Sequence, residues 1–246
     1  MPELDIYCGP APDPASLLSR WNLDPLVLAM LAILAVAAWH VAPDRRARLV
    51  SLLGVGVLVL AFVSPLCALS SALFSARVLH HVLLVAVAAP LLAASFRGIA
   101  PRVPAPRLAL AVHTLLFWAW HLPAAYGFAL SSHGAYWLMQ VTLLGSALWL
   151  WAAALDARTP AGRACALLFA TVLQMGMLAA LLTFSRAPLY DTHITTTIAF
   201  GMTPLEDQQL AGVLMWVPAA GPYLVAALWR VRTLLSPEGG LGGRTP

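Results

Sequence analysis

Seven histidines and no lysine occur in a chain that is 61% hydrophobic. Most of those histidines fall near one end of the apolar segments that carry them. His81 is about one turn into its segment, His121 closes Phe117-Trp118-Ala119-Trp120-His121, and His133 and His193 lie in polar breaks on the same side. Met175, Met177 and Met215 sit about two turns below that end, at a rise of about 1.5 Å per residue. Neutral imidazole and thioether are soft to borderline donors that suit Cu(I), whereas hard cations want the carboxylates that the apolar segments lack. The spacing therefore implies a mixed His and Met environment in the outer third of a helical bundle, with copper as the best-matched metal. Two imidazoles on neighbouring helices, such as His81 and His121, could also serve as the axial ligands of a heme.

Helical geometry sorts the individual positions. His80 and His81 are about 100° apart around a helix, so one faces the interior and the other does not. Met175 and Met177 are about 200° apart, so at most one is a ligand. His40 and His113 lie nearer the other side and read as residues hydrogen-bonded within the bundle, His113 about 12 Å below His121. In the stretch from Pro204 to Trp216, Gln208, Gly212 and Met215 share a face, with Gly212 allowing close helix approach. Gln208, at the edge of an apolar helix, must face protein. Asp207 lies in the first turn, where the helix dipole favours a carboxylate, and two roles stay open for it, cap and metal ligand. Cys8, Cys67 and Cys165 show no CxxC or zinc-type spacing. Cys67 and Cys165 read as small core residues, and Cys8 as a thiol in an outer tail, open to a metal or an oxidant.

The elements that must position these groups follow from charge. Only 10% of residues are charged and the mean hydropathy is +0.83, which belongs in a bilayer. Charge-free runs predict an all-α polytopic membrane protein with seven transmembrane helices at 25–41, 49–69, 78–95, 108–128, 134–155, 164–184 and 208–229. The long run 108–155 is divided at Ser131-Ser132-His133-Gly134. Of fourteen arginines, eleven fall on one side of these spans, and Arg20, Arg77 and Arg186 on the other. The positive-inside rule then places the N-terminus outside and the C-terminus in the cytoplasm. The expected organisation is an extracytoplasmic tail 1–24 without a cleavable signal, a membrane domain 25–232 and a disordered cytoplasmic tail 233–246.

The same observations exclude several classes. The net charge of +4 belongs to cytoplasmic loops and does not point to nucleic acid. There is no HExxH, no GxSxG and no histidine and acid pair within one span, so an enzyme is not expected. Without lysine no retinal Schiff base can form, and no carboxylate at the bilayer midplane supports a proton-driven transporter.

Several stretches together resemble the CtaG-like assembly factors of caa3-type cytochrome c oxidase. They are Trp21-Asn22-Leu23-Asp24-Pro25, His81 with Pro90-Leu91-Leu92, Trp120-His121-Leu122-Pro123 with Tyr126, Pro188-Leu189-Tyr190, and Pro204 to Trp216. The resemblance implies seven spans in the bacterial inner membrane and a part in heme-copper oxidase maturation through copper supply. It implies the oxidase subunits as partners, with a periplasmic copper chaperone as a donor and membrane lipid as the surroundings. The candidate metal ligands are His81, His121, His133, His193, Met177, Met215 and Asp207, with Gln208, His80 and Arg77 beside them. The chain departs from the family's His-Met-x-x-His in helix three, where Arg77 and Val78 occupy the first two positions and only His81 matches. It has Trp137 where the family often has a second His after the position of His133.

Overall fold

A computed structural model describes residues 6–95 and 105–235, with side chains described up to 232. Its first long elements are α1 (Pro25–Val41), α2 (Arg45–Phe62), α3 (Pro65–Ala72) and α4 (Phe74–Val82), followed by a π-helical stretch Leu83–Ala88 and α5 (Ala89–Ser95). After the segment 96–104 come α6 (Pro106–Trp120), α7 (Pro123–Ala129), α8 (His133–Leu155), α9 (Ala161–Phe184) and α10 (Pro204–Leu235). No strand occurs among the described residues. Helix α10 carries the chain to Leu235, past the expected end of the membrane domain at 232, and the rest of the expected tail lies outside the described residues.

Four helices are long and apolar enough to cross a bilayer: the continuous run α4 to α5 (Phe74–Ser95), α8, α9 and α10. Two further candidates are bent pairs, α2 with α3 at 46° and α6 with α7 at 81°. The described residues therefore offer four to six candidate spans, and the expected first span, α1, is a 17-residue apolar helix at the short end of spanning length. The two bends correct the straight helices expected at 49–69 and 108–128. Each falls where a proline opens a new helix. The Ser64 side chain caps α3 by accepting from the Leu66 N–H at 3.2 Å, with Pro65 at the first helical position. Pro123 likewise starts α7, and proline cannot donate to the preceding helical ladder.

Proline also explains the π-helical stretch. There the Ala89 N–H bonds back five residues to Leu84, so the next carbonyl, that of Val85, would look for a donor at Pro90, which has none. The Trp151 indole N–H donates to the Val85 carbonyl at 2.8 Å and the Tyr223 hydroxyl approaches it at 3.5 Å. Helices α8 and α10 are thus fixed to the middle of the run α4 to α5 by a carbonyl that proline leaves free.

Helices α9 and α10 approach each other closely at Gly212. A Cβ there would run into Thr183 Oγ1 and lie 2.7 Å from the Ala179 carbonyl oxygen and 2.9 Å from the Thr183 nitrogen. Two of those atoms are backbone and have no rotamer to change. Gly212→Ala is expected to lower stability by about 1–3 kcal/mol through overpacking, read as a lower thermal midpoint in detergent. Gly221→Ala in the same helix meets open space and should leave the midpoint unchanged or slightly raised. Equal midpoints for wild type and Gly212→Ala would contradict the close approach.

Candidate functional site

Helix α4 begins without a capping side chain of its own, because Leu73 precedes it. The cap comes from α10. One carboxylate oxygen of Asp207 accepts from the Phe74 N–H at 2.7 Å, and the other accepts from the Ser75 N–H at 3.1 Å and from the Ser75 hydroxyl. Of the two roles the sequence leaves open, this is the cap, made to another helix. Helix α10 has a separate capping box, in which the Thr203 N–H donates to Glu206 at 2.7 Å and the Glu206 N–H donates to the Thr203 hydroxyl at 3.2 Å.

One turn below the cap, Arg77 is wholly buried, not in the outer loop expected for it. Its Nη2 donates to the Ser70 carbonyl at 3.2 Å, and its guanidinium lies 5.2 Å from the centre of the Tyr136 ring. Among the described residues no carboxylate forms an ion pair with it. His80 and His81 follow, and both are buried, which corrects the expectation that one faces away from the interior. The physical reason is that α4 to α5 is the most enclosed of the four single-helix spans, 67% buried against 33–56% for the others.

His81 meets His121 ring to ring, with centroids 5.6 Å apart and planes at 81°. His121 sits at the break between α6 and α7, where its N–H closes the last turn of α6 on the Trp118 carbonyl at 3.1 Å. Its Nδ1 lies 2.7 Å from the Phe117 carbonyl, so Nδ1 carries the proton and Nε2 presents its lone pair. That Nε2 has no hydrogen-bond partner among the described residues, nor has either ring nitrogen of His80 or His81, nor the amide of the buried Gln140. Buried polar atoms are normally paired, so these side chains can take a bound water, an ion or a ligand.

The loop between α9 and α10 covers this pair. The Tyr190 hydroxyl donates to the His121 carbonyl at 2.7 Å, Gln208 accepts from the Leu189 N–H at 2.7 Å, and Thr196 donates to the Ala72 carbonyl at 2.6 Å. His193 is buried in the loop with its Nε2 2.7 Å from the Tyr126 hydroxyl. Burial pushes its imidazole down to about 4, with the Arg77 charge acting in the same direction. The N-terminal segment closes the other flank. A disulfide joins Cys8 to Cys67, so neither is the isolated residue that spacing implies. Tyr7 stacks on Tyr136 at 4.9 Å and donates to Asp24 at 2.6 Å, which holds that carboxyl below the usual carboxylate range.

Of the residues singled out from sequence, the structure brings His81 and His121 together and sets His80 beside them, 6.1 Å from His81. Met215 is buried two turns along α10 from Asp207; the cap puts Asp207 at the start of α4, so this register carries Met215 down to the depth of His81. Met177 points away from the core at 57% exposure, and Met175 is the buried member of the two. His133 is exposed at the start of α8, in edge contact with Tyr7 at 5.3 Å. His113 bonds Ser146 at 3.0 Å, as expected, whereas His40 is exposed at the end of α1, which corrects the expectation of a place within the bundle. No cluster of three or more His, Cys, Asp or Glu residues arranged to hold a metal occurs among the described residues. Sequence reasoning missed Tyr126 and Tyr190 as the hydroxyls that pin His193 and His121, and the buried Gln140. An amide six residues past the start of the predicted span 134–155 was the available signal for Gln140.

Fold and site together define a helical membrane protein that gathers buried imidazoles at one end of its bundle. Residues 95–236 match the family described as cytochrome c oxidase caa3 assembly factor, Caa3_CtaG, and the chain belongs to that family. No curated protein and no solved structure matches it. The matched region contains His121, His193, Asp207 and Met215, whereas His80, His81 and both disulfide cysteines precede it.

The neutral state of His193 has a pH signature. Its ordinary value is 6.5 and its folded value about 4. Below 6.5 the unfolded loop takes up a proton that the folded one refuses, so stability falls as pH drops from 6.5 to 4, by up to about 3 kcal/mol. Thermal midpoints of wild type are expected to fall more steeply across that interval than those of His193→Asn. Parallel curves would show that this ring does not titrate as described.

Proposed function

We propose that this protein is a non-enzymatic assembly factor that takes up Cu(I) at the extracytoplasmic face of the bacterial inner membrane and passes it to a heme-copper oxidase. The observation that carries the reading is the buried pair of His81 and His121, with a hydrogen bond to the Phe117 carbonyl leaving His121 Nε2 free. With metal–imidazole bonds of about 2 Å, two rings that share an ion have centres about 5–6 Å apart when the angle at the ion is bent and somewhat more when it is linear; the observed 5.6 Å suits a bent pair open to a third donor. Copper here is cargo. Two neutral imidazoles make a soft, two-coordinate seat, Met215 lies at the depth to supply a third donor, and so low a coordination number favours onward transfer.

The flanks of the pair favour copper over heme. Phe117 packs 4.6 Å from His121 and His80 lies 6.1 Å from His81, in the space that a macrocycle would need. Two observations support the orientation. Eleven of the fourteen arginines fall on the side away from the histidine end. The Cys8–Cys67 disulfide ties that end together, and disulfides persist in oxidising compartments such as the periplasm. Seven spans complete the reading, with α1 and the two bent pairs each crossing.

His81→Ala or His121→Ala is expected to lower bound Cu(I) and the copper content of the oxidase, with folded protein retained in the membrane, while His113→Ala leaves both unchanged. Copper bound to purified protein measures the first effect, and oxidase copper in the corresponding strains the second. Copper that survives both outer substitutions, or that only His113→Ala removes, would place the site elsewhere. For topology, a reporter fused after Arg232 should be active only as a cytoplasmic type and one inserted at Ser132 only as a periplasmic type. The reverse pattern would put the histidine pair in the wrong compartment for this function.

A further inference from the structure

We propose that Cys8 and Cys67 form a reducible dithiol that, once reduced, holds a second Cu(I) ion as a bis-thiolate beside the histidine pair. The proposal rests on the copper reading above but uses different residues. Cys67 lies in the first turn of α3 and is fully buried, while Cys8 is half-buried. The Tyr136 hydroxyl lies 3.7 Å from Cys8 Sγ, and the Asn22 amide nitrogen 3.9 Å from Cys67 Sγ. The Ser70 hydroxyl is 3.9 Å from Cys8 Sγ and donates to the Cys67 carbonyl at 2.6 Å. Disulfide sulfur is uncharged and a weak acceptor, so it gains little from a phenol, an amide and a helix N-terminus. Thiolate sulfur gains from all three.

The second observation is the charge of Arg77. It is fully buried, has no carboxylate partner among the described residues, and is linked to the sulfurs through groups it touches. It donates to the Ser70 carbonyl and lies over the ring of Tyr136, whose hydroxyl faces Cys8. A buried cation without a counter-charge is costly. Two thiolates binding one Cu(I) carry a net charge of minus one, which offsets it. The Phe62 ring then connects this region to the histidines, stacking on Trp137 at 5.2 Å and meeting His80 at 4.8 Å.

The chemistry balances. A thiolate of an external dithiol attacks the accessible Cys8 Sγ, the S–S bond breaks, and its electron pair leaves on Cys67 Sγ. The second thiol of that reductant then attacks its own sulfur in the mixed disulfide and releases Cys8 as thiolate. The reductant ends as a disulfide and the cysteine pair has gained two electrons. Cu(I) binds without changing its oxidation state. Metal–sulfur bonds of about 2.3 Å need the sulfurs about 4–5 Å apart. Cys8 can supply that movement because it lies outside the helices, in the turn closed by the Gly9 N–H to the Ile6 carbonyl at 2.8 Å.

The test is an anaerobic Cu(I) titration against a chromogenic chelator, using the whole protein in detergent with Cys165→Ala to remove the remaining half-buried thiol. Oxidised protein should bind one ion and phosphine-reduced protein two, and Cys8→Ser should abolish the difference. His81→Ala/His121→Ala should bind none when oxidised and one when reduced. Equal stoichiometry in the two redox states, or a second ion retained by Cys8→Ser, would overturn the dithiol site. No ion on oxidised wild type and one on reduced wild type would instead sink the histidine site and leave this one standing. If Cys8→Ser fails to fold, X-ray absorption of copper on the reduced double-histidine variant decides: two sulfur ligands are expected, and only nitrogen or oxygen ligands would overturn the proposal.

Discussion

The histidine end of the bundle depends on one buried carboxylate. Asp207 satisfies the first backbone donors of α4, Phe74 and Ser75, from the first turn of α10. A helix end left unsatisfied in an apolar interior costs several kcal/mol, so this contact fixes where α4 starts and how far α10 slides along it. Arg77, His80 and His81 are then placed by counting residues from the cap. Met215 is placed by the same count along α10.

Proline sets the other half of the geometry by removing donors. The break before Pro123 ends α6 at His121 and turns the chain by 81°, so His121 caps a helix end instead of lying within one. Its ring bonds back to Phe117 and its carbonyl accepts from Tyr190. Pro90 frees the Val85 carbonyl, which takes the Trp151 indole and locks α8 against the run α4 to α5. Both devices orient groups near the histidines without any charged residue at midspan.

Sequence alone made the helical class, the apolar segments and the His81 and His121 pairing legible, because depth along a helix can be counted in residues. Bends were invisible to that count: hydropathy over 49–69 or 108–128 reads the same whether the helix runs straight or turns at Pro65 or Pro123. Arg77 was read as a loop residue because a span is expected to shed charge, yet the cap from Asp207 begins α4 four residues before the expected start at 78. The burial of both His80 and His81 followed from a helix that is packed by other elements over most of its surface. The Cys8–Cys67 bond and the cap from Asp207 join residues 59 and more than 130 positions apart, and spacing along the chain carries no information about such contacts.

The central claim is that two imidazoles, His81 and His121, hold cuprous ion at this end of the bundle. Copper-edge X-ray absorption on the oxidised, Cu(I)-loaded protein tests it most directly. The account predicts low-coordinate copper with two nitrogen ligands at about 2 Å, a single imidazole remaining in His121→Ala. Copper with no imidazole nitrogen among its ligands, or a wild-type spectrum unchanged in His121→Ala, would contradict it.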